Sequence, residues 1–330
     1  LFQQVGGKAV TKRVHGNALI DLGGRSRGVE IPRVDIGRRS GCPVFSPQPR
    51  GGRVGPELNV PRSIVEDAPH ASGIGRGGRK AARLDALDRE ARRILGVPVA
   101  LARAEAHVAG QVEAEARKRG HQGVVRMRLW GSVLFYGHLM AGPSAAVPSY
   151  LSSPTGGAAV SPAVAQGPGF KTIQPHEPVL VDYVFAYNGY LSDHARIFSL
   201  GSLPEELIKA HAAMLEIEQM IKRWAKPGVK SGEIYKRALE KTKALGYVDH
   251  FMGVGPERIR FVGHGIGLEV DEFPFLAAGQ QLELQAGMAI ALEPKLIFPD
   301  KGVVGIENTH VVTDDGLDQL GQFPGEVLVL

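Results

Sequence analysis

Asp182 and Asp193 flank an Asn188-Gly189 dipeptide, and Glu293 and Glu307 flank the turn Asp300-Lys301-Gly302. Asn-Gly between two apolar runs is a strong hairpin signal, because both residues accept the backbone angles of a two-residue turn. In that hairpin Asp182 faces Ala195, and Asp193 becomes its diagonal neighbour on the same face, roughly 7–8 Å away at Cα. Two short carboxylates at that distance can lean onto a shared cation and gain nothing from each other without one. Glu293 and Glu307 sit symmetrically about the second turn, which puts them in direct opposition, a destabilising arrangement for like charges. Both lie in apolar runs, Ile290-Ala291-Leu292-Glu293 and Val304-Gly305-Ile306-Glu307. An unpaired ionised carboxylate is costly to bury there, and a compensating cation is the natural resolution. His264, in Gly263-His264-Gly265-Ile266-Gly267, adds an imidazole among residues small enough to admit a ligand closely. Four carboxylates and one imidazole suit a pair of divalent cations such as Mn, Co, Fe or Zn. The competing interpretation is solvent-facing acids and a hydrogen-bonded bystander histidine, and the recurrence of two same-face pairs weighs against it.

The elements that must position these groups follow from periodicity and punctuation. A helix-forming stretch begins near Ala81 and stops at Gly96, and a second helix is expected from about Ala102 to Arg119, ending at Gly120. Val124 to Met140 reads as strand, and Gly142 to Gly169 as a long loop rich in Pro, Ser, Gly and Ala of the kind that borders active sites. The Asn188-Gly189 hairpin joins Val179–Phe185 to a strand from Tyr190 to Leu200. Ser202 with Pro204 and Glu205 then opens a helix to about Ala225, and Ser231 opens another that closes at Gly246. Apolar strand runs follow at Arg260 to Val262, Met288 to Phe298 and Val303 to Val312. The expected class is α+β with antiparallel strands.

Composition bounds the rest. The 330 residues are 43% apolar and 22% charged, which excludes a wholly disordered chain. A mean hydropathy of -0.06, no apolar stretch near the roughly 18 residues of a membrane span, and no signal-like start point to a soluble, cytoplasmic chain without membrane partners. The lone Cys42 makes neither an internal disulfide nor, alone, a thiolate metal site, so a metal would be held by oxygen and imidazole. The first residue, Leu1, is compatible with a fragment. Residues 1–80 hold 14 Lys+Arg against 6 Asp+Glu, and 15 of the 43 glycines, without sustained periodicity. That segment is expected to be poorly ordered. It lacks the interleaved aromatics of a nucleic-acid binder, and the Gly-x-Gly-x-x-Gly match at Gly73, Gly75 and Gly78 has no strand before it. The expected division is 1–80, a connecting helix over 81–96, and a catalytic domain over 97–330.

The stretches Val181-Asp182-Tyr183, Gly189 to Arg196, Gly263-His264-Gly265-Ile266-Gly267-Leu268-Glu269, Ala291-Leu292-Glu293-Pro294 and Gly305-Ile306-Glu307-Asn308-Thr309 carry a resemblance. Together they resemble the pita-bread metallopeptidase family of methionine aminopeptidases, prolidases, Xaa-Pro aminopeptidases and creatinase, over about residues 100–325. The resemblance implies an antiparallel sheet with helices on its outer face and two divalent ions, Mn or Co foremost and Zn or Fe as alternatives. Asp182 would bind one ion, Asp193 and Glu307 would bridge, and His264 and Glu293 would bind the other. Glu293 would also handle the proton, and Arg196, in a variant of the Asp-x-Thr-Arg motif with Ala195 for Thr, would orient the carboxylates. The implied activity is Xaa-Pro aminopeptidase or prolidase-like hydrolysis of a small peptide, by a possible homodimer. Alternatives are creatinase-like or ectoine-hydrolase-like hydrolysis or a lyase reaction on a small metabolite, or an inactive truncated member. Residues 1–80 do not resemble a sound creatinase-type N-terminal domain. Two substrate-facing histidines of prolidase-type members are replaced, by Asp271 and Ser149, and His138 or His194 could supply an imidazole instead. Asp271 could serve as a proton donor only with a strongly raised pKa.

Overall fold

The computed structural model describes residues 83, 85–93, 104–128, 136–149, 153–164 and 166–330. All belong to the unit spanning Ala68–Leu330, so the expectations for residues 1–80 lie outside the described residues, and the connecting helix is described over 85–93 (α1).

Helix α2, Glu105–Lys118, buries Val108, Ala109, Val112 and Ala116 at helical spacing, and the chain leaves it through Gly120 at φ 92. Its first residue is a buried carboxylate. Glu105 Oε1 accepts from Ala141 N at 2.8 Å and from the Ser144 hydroxyl, and Oε2 accepts from Gly169 N at 2.9 Å. One side chain thereby ties down both ends of the segment expected as a loop, whose start is a 3-10 turn over Gly142–Ala146. Of the strand expected from Val124, β1 is the part at Gly137–Ala141; Met127 makes only an isolated bridge to Val270, and residues 129–135 are outside the description.

The first sheet runs β1, β2 (Val179–Tyr187), β3 (Tyr190–Ser199), β10 (Leu328–Val329). The β2–β3 register closes at Tyr187 opposite Tyr190 and sets Asp182 opposite Ala195, as the Asn188-Gly189 turn requires. β10 joins β3 in parallel, which departs from the all-antiparallel expectation. Helix α3 (Glu205–Trp224) buries Leu207, Ala210, Met214, Ile217 and Ile221 and packs on the strands of the second half, and α4 (Ser231–Ala244) packs on α3. Neither expected serine caps its helix: the N-cap positions are Pro204 and Lys230.

The second sheet runs β4 (Gly263–Gly265), β5 (Ala289–Leu292), β8 (Asn308–Val312), β9 (Leu317–Gln319), with β6 (Lys295–Phe298) and β7 (Gly302–Gly305) as a separate pair. The runs Met288 to Phe298 and Val303 to Val312 are therefore not continuous strands: each breaks at a glutamate. Leu292 pairs with Asn308 and Lys295 with Gly305, so both ladders hold one register and Glu293 comes opposite Glu307 where the ladder is open. Pro294 has no N–H to give. Each glutamate turns its main chain to another strand, Glu293 N to Val262 O at 3.0 Å, and Glu307 N and O to Ala195 at 3.3 and 3.2 Å. The first extends the β4–β5 ladder by one pair, and the second draws the second sheet against β3.

Candidate metal centre

Where the two sheets meet, the described residues enclose a cavity of about 60 Å³ lined by Asp182, Asp193, His264, Asp271, Glu293, Lys295 and Glu307, with His138 and Gln166 also on its wall. All five residues expected as metal ligands are therefore brought together.

Asp193 arrives from β3, and its main chain is held on both sides by Thr309, whose hydroxyl accepts from Asp193 N at 2.9 Å and donates to Asp193 O at 3.0 Å. Its Oδ1 is buried with no hydrogen-bond partner among the described residues. Burial, reinforced by Asp182 and Glu293, pushes the Asp193 carboxyl well above the ordinary carboxylate range, and burial together with Asp193 and other acids does the same to Glu307. His264 Nδ1 lies 3.0 Å from Gly265 O. A carbonyl only accepts, so Nδ1 carries the proton and the Nε2 lone pair faces the carboxylates, 3.9 Å from Glu293 Oε1 and 3.9 Å from Glu307 Oε1. One donor atom each from Asp193, His264 and Glu307 lie within 4.8 Å of one another. An orphaned buried oxygen, an outward lone pair and a second acid form a donor set that fits a hard or borderline divalent ion.

The sequence reading missed Lys295. Its Nζ lies 2.9 Å from Asp182 Oδ2, 2.8 Å from Glu293 Oε2 and 2.6 Å from Glu307 Oε2, and the residue is 1% exposed. Burial alone pulls its pKa down, but Asp182, Glu293 and Glu307 outweigh that and hold it well above the ordinary lysine value. A signal was present: a lysine in an apolar strand is seldom buried unless paired, and Lys295 shares strand parity with Glu293. The space for its stem comes from the facing Gly305, φ 149, where a Cβ would stand 2.4 Å from Pro294 O and 2.7 Å from Lys295 Cα.

The remaining candidates are sorted by strand parity and distance. His138, opposite Asp182 in the β1–β2 register, is buried on the cavity wall; burial lowers its pKa, and its Nδ1 has no partner among the described residues. His194, next to Asp193 in β3, points the other way and is not a substitute imidazole: its Nδ1 is 4.0 Å from Asp85 and 3.8 Å from Asp88 of α1. Asp271, at φ 63, places Oδ1 3.9 Å from His264 Nδ1, and burial raises its pKa, the direction a proton-donating carboxyl needs. Ser149 is not among the residues lining the described cavity. Arg196, expected to orient the carboxylates, reaches the main-chain carbonyls of Ala195, Glu307 and Phe323 and the Asn308 side chain.

Two facing sheets with helices outside and an acidic, imidazole-bearing cavity between them are the architecture of the pita-bread metallohydrolases. The model of metallopeptidase family M24 matches residues 79–314, and the chain belongs to that family. It is 33% identical over 165 residues to an Xaa-Pro dipeptidase of Lactobacillus delbrueckii subsp. lactis, covering 50% of this chain and 43% of that protein. It is 34% identical over 158 residues to an Xaa-Pro dipeptidase of Pyrococcus furiosus, covering 48% and 43%. Both alignments thus span less than half of the relative's length. Among solved structures, dipeptidase PepE from Mycobacterium ulcerans matches at TM-score 0.64 and 25% identity, covering 81% of this chain and 63% of that one. Methionine aminopeptidase from Thermotoga maritima shares the fold at TM-score 0.53 and 21% identity, over 75% and 95% of the two chains. No described helix is long and apolar enough to cross a membrane.

Proposed function

We propose that this chain is a divalent-metal-dependent hydrolase of short peptides that cleaves the bond before proline. The observation that carries the metal half is the convergence of Asp193, His264 and Glu307, with Asp193 Oδ1 buried and unpartnered among the described residues. The proline half is supported by the names of the two dipeptidases aligned above.

Asp193, His264 and Glu307 would hold the ion, which supplies a Lewis acid for the scissile carbonyl and a means of lowering the pKa of water. Glu293, whose Oε2 is bonded to Lys295, has Oε1 turned toward His264 and is the group to take up the proton of the attacking water. His138, neutral because burial depresses its pKa, can donate to a substrate carbonyl from the cavity wall. Lys295 keeps the carboxylates from repelling one another out of position.

The test is hydrolysis of an Xaa-Pro dipeptide, an Xaa-Pro-Xaa tripeptide and matched alanine peptides by chelator-stripped protein, with Mn or Co restored and Glu307→Ala as control. Metal-restored cleavage confined to proline peptides and lost in the control is the expected result. Metal uptake without cleavage of any peptide would overturn it. The replacement of an imidazole by Asp271 supports one second reading, hydrolysis of a small metabolite, which a panel of amidines and betaines would detect in that event.

A further inference from the structure

The donor set fits one ion better than two. A second ion would need oxygens of Asp182 and Glu307, and both residues already give an oxygen to Lys295 Nζ, at 2.9 and 2.6 Å. A divalent ion binds carboxylate oxygen at roughly 2.0–2.2 Å. An ion taking those same two oxygens would stand on the position of the ammonium, so the two compete for them.

We propose that Lys295 is the resident cation of this centre, replacing the second divalent ion, so that the chain loads with a single ion on Asp193, His264 and Glu307. The inference rests on the metal-hydrolase reading above and specifies its metal content. Four observations support it. The ammonium bonds three carboxylates from separate places in the chain: Asp182 in β2, Glu293 at the β5–β6 break and Glu307 at the β7–β8 break. The residue is buried along its length, with its main chain in the β6–β7 ladder, so withdrawal from the centre would leave an ammonium among apolar neighbours. Gly305 is the one position facing Lys295 across that ladder, and any side chain there would collide with the lysine's own strand. The three atoms that converge without Lys295 are a complete set for one ion, and Asp182 is not among them.

The test is metal stoichiometry of the full chain. Protein is loaded with excess Mn, passed through gel filtration and assayed for Mn per chain by mass spectrometry, and its electron paramagnetic resonance spectrum is recorded. The expected wild-type result is one Mn per chain with the six-line spectrum of an isolated ion. Lys295→Met keeps the stem and removes the charge; it is expected to take up two Mn and show the broadened spectrum of a coupled pair. Lys295→Arg should remain at one. Two Mn in the wild-type chain, with a coupled spectrum, overturns the proposal even if the methionine variant does not fold. A single ion in folded Lys295→Met also overturns it. No Mn in any variant removes the metal-hydrolase reading and this inference with it, whereas one Mn without peptide cleavage removes only the peptidase assignment.

Discussion

Arg196 Nη1 donates to the main-chain carbonyl of Glu307 at 2.8 Å, so the arginine of β3 sets the backbone from which a cavity carboxylate projects. The same guanidinium reaches Ala195 O, Asn308 Oδ1 and Phe323 O at 2.8–3.0 Å and is fully buried. Truncation would strand Asn308 Oδ1 and Phe323 O, each costing about 1–3 kcal/mol, and would leave Ala195 O and Glu307 O with only their mutual main-chain bonds. Arg196→Ala is expected to lower the urea midpoint by the equivalent of about 3 kcal/mol or more. Arg196→Lys should recover little of it, because a point donor cannot span the fork. An unchanged midpoint in either variant would show that these contacts do not hold the sheets together.

Thr309 clamps Asp193 through its main chain and touches no cavity carboxylate itself. Thr309→Val keeps the shape and removes both of these hydrogen bonds, along with the longer one from Ser192 Oγ at 3.4 Å. The expected cost is about 1–2 kcal/mol of stability, with weaker Mn binding by calorimetric titration and restoration in Thr309→Ser. Equal Mn affinity for the valine variant would show that Asp193 is placed by packing alone.

His138 is the cavity imidazole not counted among the metal-holding residues. If it works on the substrate carbonyl, His138→Ala should lower kcat on Xaa-Pro peptides by about 10²-fold or more, with Mn content unchanged. Loss of Mn together with activity would instead mark a structural role.

His310 is buried in β8, 3.7 Å from Glu218, and burial, with a smaller contribution from Lys222, depresses its pKa to about 3. The unfolded histidine titrates near 6.5. Between those values the unfolded chain binds the extra proton, so its contribution to stability is complete above pH 6.5 and is lost as pH falls toward 3, at up to about 1.4 kcal/mol per pH unit. Urea melts of wild type and His310→Gln at pH 7, 5.5 and 4.5 should therefore diverge in slope, the variant falling less steeply. Parallel curves would count against a neutral buried imidazole.

How far the site could be read in the chain differs from residue to residue for physical reasons. The Asn188-Gly189 turn carries its own backbone requirement, so the opposition of Asp182 and Ala195 followed from local chemistry. The symmetry of Glu293 and Glu307 about their turn also survived into the register. The breaks at those glutamates did not show locally, because they are made by main-chain partners far along the chain, Val262 and Ala195. His194 could have been excluded beforehand: neighbours in a strand point to opposite faces, so a residue beside Asp193 cannot share its cavity. Lys295 was passed over because a lysine in a strand ordinarily snorkels to water, and only its three acid partners show that this one does not.

The placement of Lys295 also bears on how the chain comes to be folded at all. Asp182, Asp193, Glu293 and Glu307 would resist being gathered if their neutralisation had to await an ion from solution. Lys295 lies between two of them on the same short hairpin, so one compensating charge is delivered by the act of closing that turn. The centre can thus assemble in newly made chain before any metal reaches it. On the proposed reading an ion would then enter a built cavity, and its scarcity would limit activity without limiting the supply of folded protein.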